Sequence, residues 1–207
     1  MTVVRTPRDD QHHEVRYDLR SKYVSGISTM QETVSRYHPA WVAAHWLSSL
    51  LILISLLGGI FVIREIPNAA PQKAMILQAH AIAGVVILLL LLSRLLMRAK
   101  TRKPPPADTD SRFLNGLRRV VHVGLYVVAL AMISTGIGTL AAAGVVPNVF
   151  SGQGPLPESF WDYPPRQGHF FFSRLLLVLV ALHVAGAVYH QFIRKDGLLR
   201  RMWFGPR

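Results

Sequence analysis

Six of the nine histidines in this chain stand in or beside long apolar runs: His45, His80, His122, His169, His183 and His190. An imidazole is a metal ligand, a proton carrier or a hydrogen-bonding group. Ionisable side chains in apolar surroundings are costly and tend to mark a site, although a single such histidine can equally serve as a hydrogen bond between helices. Their mutual placement therefore carries the argument. His169 and His183 lie 14 residues apart in one run. On a helix that is roughly 21 Å of rise and a rotation about 40° short of whole turns, so both share a face at two depths. Arg94 follows His80 by the same 14 residues, and Arg174 follows His169 by five. Either guanidinium could hold a carboxylate in two-pronged fashion, or could simply reach out towards polar headgroups.

The elements that position these groups are membrane helices. Residues 41–63 and 74–93 carry no formal charge, residues 120–146 form a third run, and residues 170–193 a fourth interrupted only by Arg174. Each reaches the roughly 20 residues needed to cross a hydrocarbon core, and none alternates as a strand would. The fold expected is all-α, a transmembrane four-helix bundle. The first run starts too late and is too long for a cleaved signal peptide. Residues 1–40 read as a soluble, partly disordered extension, with a short surface helix near 29–37 opened by a capping box of Thr29 and Glu32. Residues 41–204 form the membrane domain.

Composition narrows the function further. The net charge is +12, yet 51% of residues are hydrophobic and only 16% charged, which sets nucleic-acid binding aside. The absence of cysteine excludes disulfides, thiolate metal sites and thioether-linked haem. Of the 23 Lys and Arg, 19 fall in residues 1–40, in the 94–119 segment and after residue 193. The positive-inside rule then predicts that both termini and the middle connection are cytoplasmic. The 98–103 charge run followed by prolines reads as an exposed loop, with contact to lipid headgroups as the lesser alternative. The aromatics Phe160, Trp161 and Tyr163 suit an outer interfacial belt or a docking surface for a periplasmic electron donor.

In this topology the first span presents His45 near its cytoplasmic start and the second presents His80 near its periplasmic start. The fourth span offers partners at both depths. Opposed histidines across a bundle core are how b-type haem is held without a covalent bond. Zinc favours three or four ligands converging on one point, so histidines at two depths favour haem. Gly84, Gly186, Ala187, Ser48 and Ser49 beside these histidines allow close approach of a flat macrocycle, and also ordinary helix packing. No nucleotide-binding or hydrolytic motif is present.

The chain resembles the prokaryotic cytochrome b561 family over about residues 36–204. The residues that carry the resemblance are AHW at the head of the first run, QAHAIAG and SRLLMR in the second, VVHVGLY in the third, and GHFFFSRLLLVLVALHVAGAVYHQFIRKDGLLRRM in the fourth. The resemblance implies a four-helix di-haem cytochrome in which His45 and His183 ligate the cytoplasmic-side haem and His80 and His169 the periplasmic-side haem. By depth alone His190 is level with His45. It is the alternative ligand, but a His169–His190 pair would span roughly 31 Å and push both haems to the membrane edges. His190 is then free either for a quinone carbonyl or a haem propionate or for an interfacial hydrogen bond, and His122 lies within reach of the same region, where a structural role is the favoured reading.

The function expected is transmembrane electron transfer through two haem b groups, exchanging electrons with a quinone such as ubiquinone. Superoxide is one donor the resemblance allows. The competing readings are a cytochrome subunit serving a separate dehydrogenase or periplasmic redox protein, and a non-redox transporter whose histidines line a pathway.

Overall fold

The computed structural model describes residues 36–101, 104 and 111–205. The capping box expected at Thr29 and Glu32 lies outside them. Helix α1 covers Pro39–Gly58 and passes without a break into a π-helical turn, Gly59–Ile63. Its start is two residues earlier than the apolar run indicates, because Pro39 occupies the first helical turn and His38 Nδ1 accepts the Ala40 N–H at 3.2 Å. Helix α2 covers Lys73–Lys100 and α3 covers Arg112–Ala142, opened by Ser111 Oγ accepting the Leu114 N–H. A short helix α4, Val146–Ser151, stops at Gly152 in the left-handed conformation. Helix α5 covers Pro164–Val188, again with proline in its first turn, and runs on into a second π-helical segment, Tyr189–Arg194. The four-residue helix α6 covers Leu198–Arg201.

The four long helices have the length and apolarity to cross a membrane. Their outward faces confirm the solvent they are built for: Leu50, Ile54, Leu89, Phe171 and Ile193 are each more than half exposed. Apolar surface this continuous does not face water in a soluble monomer. Helices α2 and α3 project beyond the apolar runs. Arg98 and Lys100, read from sequence as loop, form the last turn of α2, where cations complement the carbonyl end of the helix. Arg112, Arg118 and Arg119 likewise belong to α3 rather than to the connection.

The helices pack as two hairpins, α1 against α2 and α3 against α5, with the α3–α5 seam the more extensive. Helices α2 and α3 touch along a narrower line that joins the hairpins. The buried cluster Ile87, Leu91, Val128, Ala129 and Leu176 fills that junction. Straps tie the hairpins at both ends. At the end holding residues 64–72 and 143–163, here called distal, Asn68 Nδ2 donates to Pro157 O at 2.9 Å and Gln78 Nε2 donates to Phe150 O at 2.5 Å. Buried Lys73 donates there to Ile66 O at 2.6 Å and to Ile63 O, closing the carbonyl end of α1.

At the opposite, basal end the chain leaves α5, turns through Lys195 and Gly197 at φ 53° and 68°, and returns over the start of α1. Asp196 stands in this turn. Burial pushes its carboxyl up, but hydrogen bonds from His190 and the Leu198 N–H, with positive charge on His190 and Arg194, outweigh that and hold it below the ordinary carboxylate range. Its contribution to stability is therefore present above the pKa of an unfolded aspartate and lost as pH falls through the lowered folded value. Asp196→Asn should lower the thermal midpoint at neutral pH by an amount worth ~0.2–1 kcal/mol, as for pairs close to solvent. The difference between variant and parent should vanish in acid, as followed by thermal denaturation across pH.

Candidate functional site

The two hairpins bring the histidines together in opposed pairs. At the basal end His45 of α1 and His183 of α5 face one another with ring centroids 6.2 Å apart and planes at 74°. At the distal end His80 of α2 and His169 of α5 are likewise 6.2 Å apart, at 79°. Neither pair comes from helices that pack closely on each other; each spans the gap between hairpins. Among the described residues, no group of three or more His, Asp or Glu converges as a metal cage.

Spacing along the helices explains why two depths are occupied. His80, Ile87 and Arg94 recur every seven residues on α2, and His169, Leu176 and His183 do so on α5. Seven residues make about two turns, so each set forms one stripe. The middle members, Ile87 and Leu176, are buried in the junction cluster. An apolar plug thus separates two polar sites on the same faces.

At the distal site the imidazoles border a cavity of about 440 Å³, inside the roughly 300–1,000 Å³ of cofactor sites. His169 Nδ1–H donates to Met132 O at 2.8 Å, which leaves Nε2 as the lone-pair nitrogen. Gly136 faces that ring: a Cβ there would stand 3.1 Å from His169 Cε1. Gly59, in the π turn of α1, faces His80 in the same way at 3.7 Å. Gly84 also lines the cavity, with open space beside it. Arg174 stacks on Phe170 at 5.0 Å and borders an adjoining recess of about 50 Å³, together with Arg64, Arg166 and both histidines.

At the basal site the polar groups interlock differently. Arg94 Nη1 donates to Ser48 Oγ at 3.0 Å, and that hydroxyl donates to His45 O, also at 3.0 Å. The Arg94 guanidinium lies 5.4 Å from the Tyr126 ring centre. Its Nε, and His45 Nδ1, are buried polar atoms with no protein partner, a pattern that points to an absent polar group. His122 approaches His183 to 5.1 Å and donates from Nδ1 to Arg118 O at 2.7 Å. His190 does not join the pair. Its Nδ1 is held by Asp196 Oδ2 at 2.5 Å, in the turn beyond α5.

An opposed pair of imidazoles suits one metal between them. Nitrogen ligands sit about 2 Å from a first-row metal, and each ring nitrogen lies roughly 1.1 Å from its ring centre, so two in line place the centres roughly 6 Å apart. Both pairs meet that spacing. Over residues 36–205 the sequence matches the family described as Prokaryotic cytochrome b561. The chain belongs to that family.

Curated relatives agree. The chain is 24% identical over 177 residues to the probable superoxide oxidase CybB of Yersinia pestis, an alignment covering 81% of this chain and 95% of that protein. It is 27% identical over 176 residues to cytochrome b561 homolog 2 of Escherichia coli K12, covering 82% and 92%. Homolog 1 of the same strain is 23% identical over 182 residues, covering 82% and 97%. Membership makes the chain a bacterial multi-pass membrane cytochrome of electron transport, and it implies b-type haem.

The residues fit that group. Two bis-imidazole gaps, a glycine flank at His169 and an arginine nitrogen in want of an anion are what a haem with its propionates requires. Sequence reasoning missed Gly59 and Gly136 beside the rings. It read Arg64 and Arg166, with Lys73 and Arg174, only as a positive field at the outer face, whereas Arg64 and Arg166 border the same recess as His80 and His169. Gly59 and Gly136 sit on helices remote in sequence from the rings they face, and no local pattern marks them.

These contacts set a steric test. Gly136→Val should displace the His169 ring, cost ~1–3 kcal/mol by overpacking and lower the haem content per chain. Gly116→Ala, on α3 away from both histidine pairs and with nothing within 4 Å of its added Cβ, should leave haem content unchanged, as measured by pyridine haemochrome assay.

Proposed function

We propose that this cytochrome carries electrons across the membrane through two b-type haems, between a donor at the distal face and a quinone such as ubiquinone. On this reading His45 and His183 hold the basal haem, and His80 and His169 the distal one. The observation that carries it is the repeated 6.2 Å separation of opposed imidazoles at two depths. Held between these histidine pairs, haem b would supply one-electron chemistry suited to relay rather than oxygen binding.

The remaining roles follow from the contacts. The bond from His169 to Met132 O orients that ring and raises the basicity of its other nitrogen. Arg94 offers its unpartnered Nε to a basal propionate, and Arg174 with Arg166 offers cations to a distal one. His190 keeps only Nε2 for a quinone carbonyl or a propionate, because Asp196 takes Nδ1. The lysine and arginine distribution supports termini in the cytoplasm and a distal face in the periplasm. The chain ahead of the haem domain then lies on the cytoplasmic side, and Arg36 and Tyr37 already bond to the returning segment after α5.

Superoxide is a second reading for the donor. Arg64, Lys73 and Arg166 border the distal cavity against one carboxylate, Glu158, a field that draws small anions. A relative bearing the name probable superoxide oxidase favours it. A periplasmic redox protein or a dehydrogenase subunit would use the same face.

The purified chain should show a b-type reduced-minus-oxidised spectrum with two haems per polypeptide. His45→Ala or His183→Ala should remove one haem, and His80→Ala or His169→Ala the other, each leaving about one per chain. A colourless protein, or losses that do not follow these pairs, would refute the assignment.

A further inference from the structure

His45 and His183 belong to helices that scarcely touch. Helix α1 leans on α2 and α5 leans on α3, so the width of the basal gap needs a tie of its own. That tie is the returning segment after α5. Asp196 Oδ2 accepts His190 Nδ1–H at 2.5 Å, and its Oδ1 accepts the Leu198 N–H at 3.1 Å. One carboxylate thus fastens the end of α5 to the start of α6. Lys195 adopts φ 53° beside it, an unfavourable conformation for a residue with a side chain, which persists where neighbouring contacts over-determine it.

The fastened segment then delivers its carbonyls to α1 and the residues ahead of it. Met202 O accepts the Trp46 indole N–H at 2.8 Å, Arg201 O accepts the Tyr37 N–H at 3.2 Å, and Phe204 O accepts Arg36 Nη1 at 2.8 Å. Trp203 packs edge-on against Trp46 at 5.9 Å. Trp46 adjoins His45 in sequence, and their rings are 5.4 Å apart. The path from Asp196 to His45 therefore runs through hydrogen bonds, the short backbone of α6 and ring contacts.

We propose that Asp196 is a positioning residue for the basal histidine pair, holding a strap of residues 195–204 that sets how closely His45 stands to His183. The inference rests on the haem assignment proposed above. Its consequence is electronic as well as mechanical: the gap governs how strongly both imidazoles bind the iron, and axial ligation is a principal lever on haem potential. The distal pair, tied by Asn68 and Gln78 at the other end, lies outside the strap's reach.

The test uses full-length chains in two backgrounds, His169→Ala carrying the basal haem and His183→Ala carrying the distal haem. The haem count with Asp196 intact comes first. If these backgrounds do not hold one haem each, the histidine assignment fails and the inference falls with it. Asp196→Asn is then added to each, and Trp46→Phe serves as a second variant that removes only the indole donor. Redox titration and the low-spin electron paramagnetic resonance signal are the readouts.

Both substitutions should shift the midpoint potential and the spectral g-values in the basal-only background, and neither should move them in the distal-only background. Combining the two should add little to the larger single shift, because both release one strap. An unchanged basal centre, or equal shifts at both centres, overturns the proposal while leaving the histidine assignment intact.

Discussion

Everything in this bundle turns on keeping two pairs of imidazoles apart by a fixed distance inside a medium that offers no water. Side chains that could close the gap by packing would abolish the sites, and helices that drifted further would lose them. Two hairpins whose long helices meet chiefly along the α2–α3 line answer this constraint. The α2–α3 junction, filled by Ile87, Leu91, Val128, Ala129 and Leu176, holds the hairpins together at mid-depth. On either side of that plug the interior opens towards histidines. Lipid removes the hydrophobic drive for helices to collapse further onto each other, so hydrogen-bonded straps at the ends must fix what burial does not.

The two π-helical segments belong to the same solution. Gly59–Ile63 ends α1 at the distal site, and Tyr189–Arg194 ends α5 at the basal site. A π turn is rare and concentrates at functional sites because it breaks the regular progression of side chains around the helix. Here one places Gly59 against His80, and the other carries His190 into the turn where Asp196 meets it. The sites also differ in character. The distal pair opens on a broad cavity bordered by several cations. The basal pair sits in a tighter cluster in which Arg94, Ser48 and His45 form a chain of polar contacts, with His122 alongside. The distal end thus presents an open, cationic entrance, and the basal end an ordered interior.

Much of this was legible from the amino-acid sequence, for a reason particular to membrane proteins. Lipid demands about 20 apolar residues per crossing, so the spans announce themselves and any histidine within them stands out. The 14-residue spacing of His169 and His183 translates directly into two depths on one face, since helical rise and twist are constants. The ends of α2 and α3 were less legible: their charged turns continue the helix beyond the hydrocarbon, where composition resembles loop.

What the chain determined unaided, then, is the number of helices, the positions of the histidines along them and the two levels at which sites can form, because these depend on periodicity within single elements. Which ring opposes which was a tertiary decision. Depth arithmetic set His190 level with His45, the roughly 31 Å span of a His169–His190 pair and the family resemblance favoured His183, and the packed helices bring the His183 ring opposite His45. The glycines that face His80 and His169, and the cations gathered at the distal cavity, were settled in the same way. Such contacts join residues far apart in the chain, and only the packing of one hairpin against the other brings them within reach.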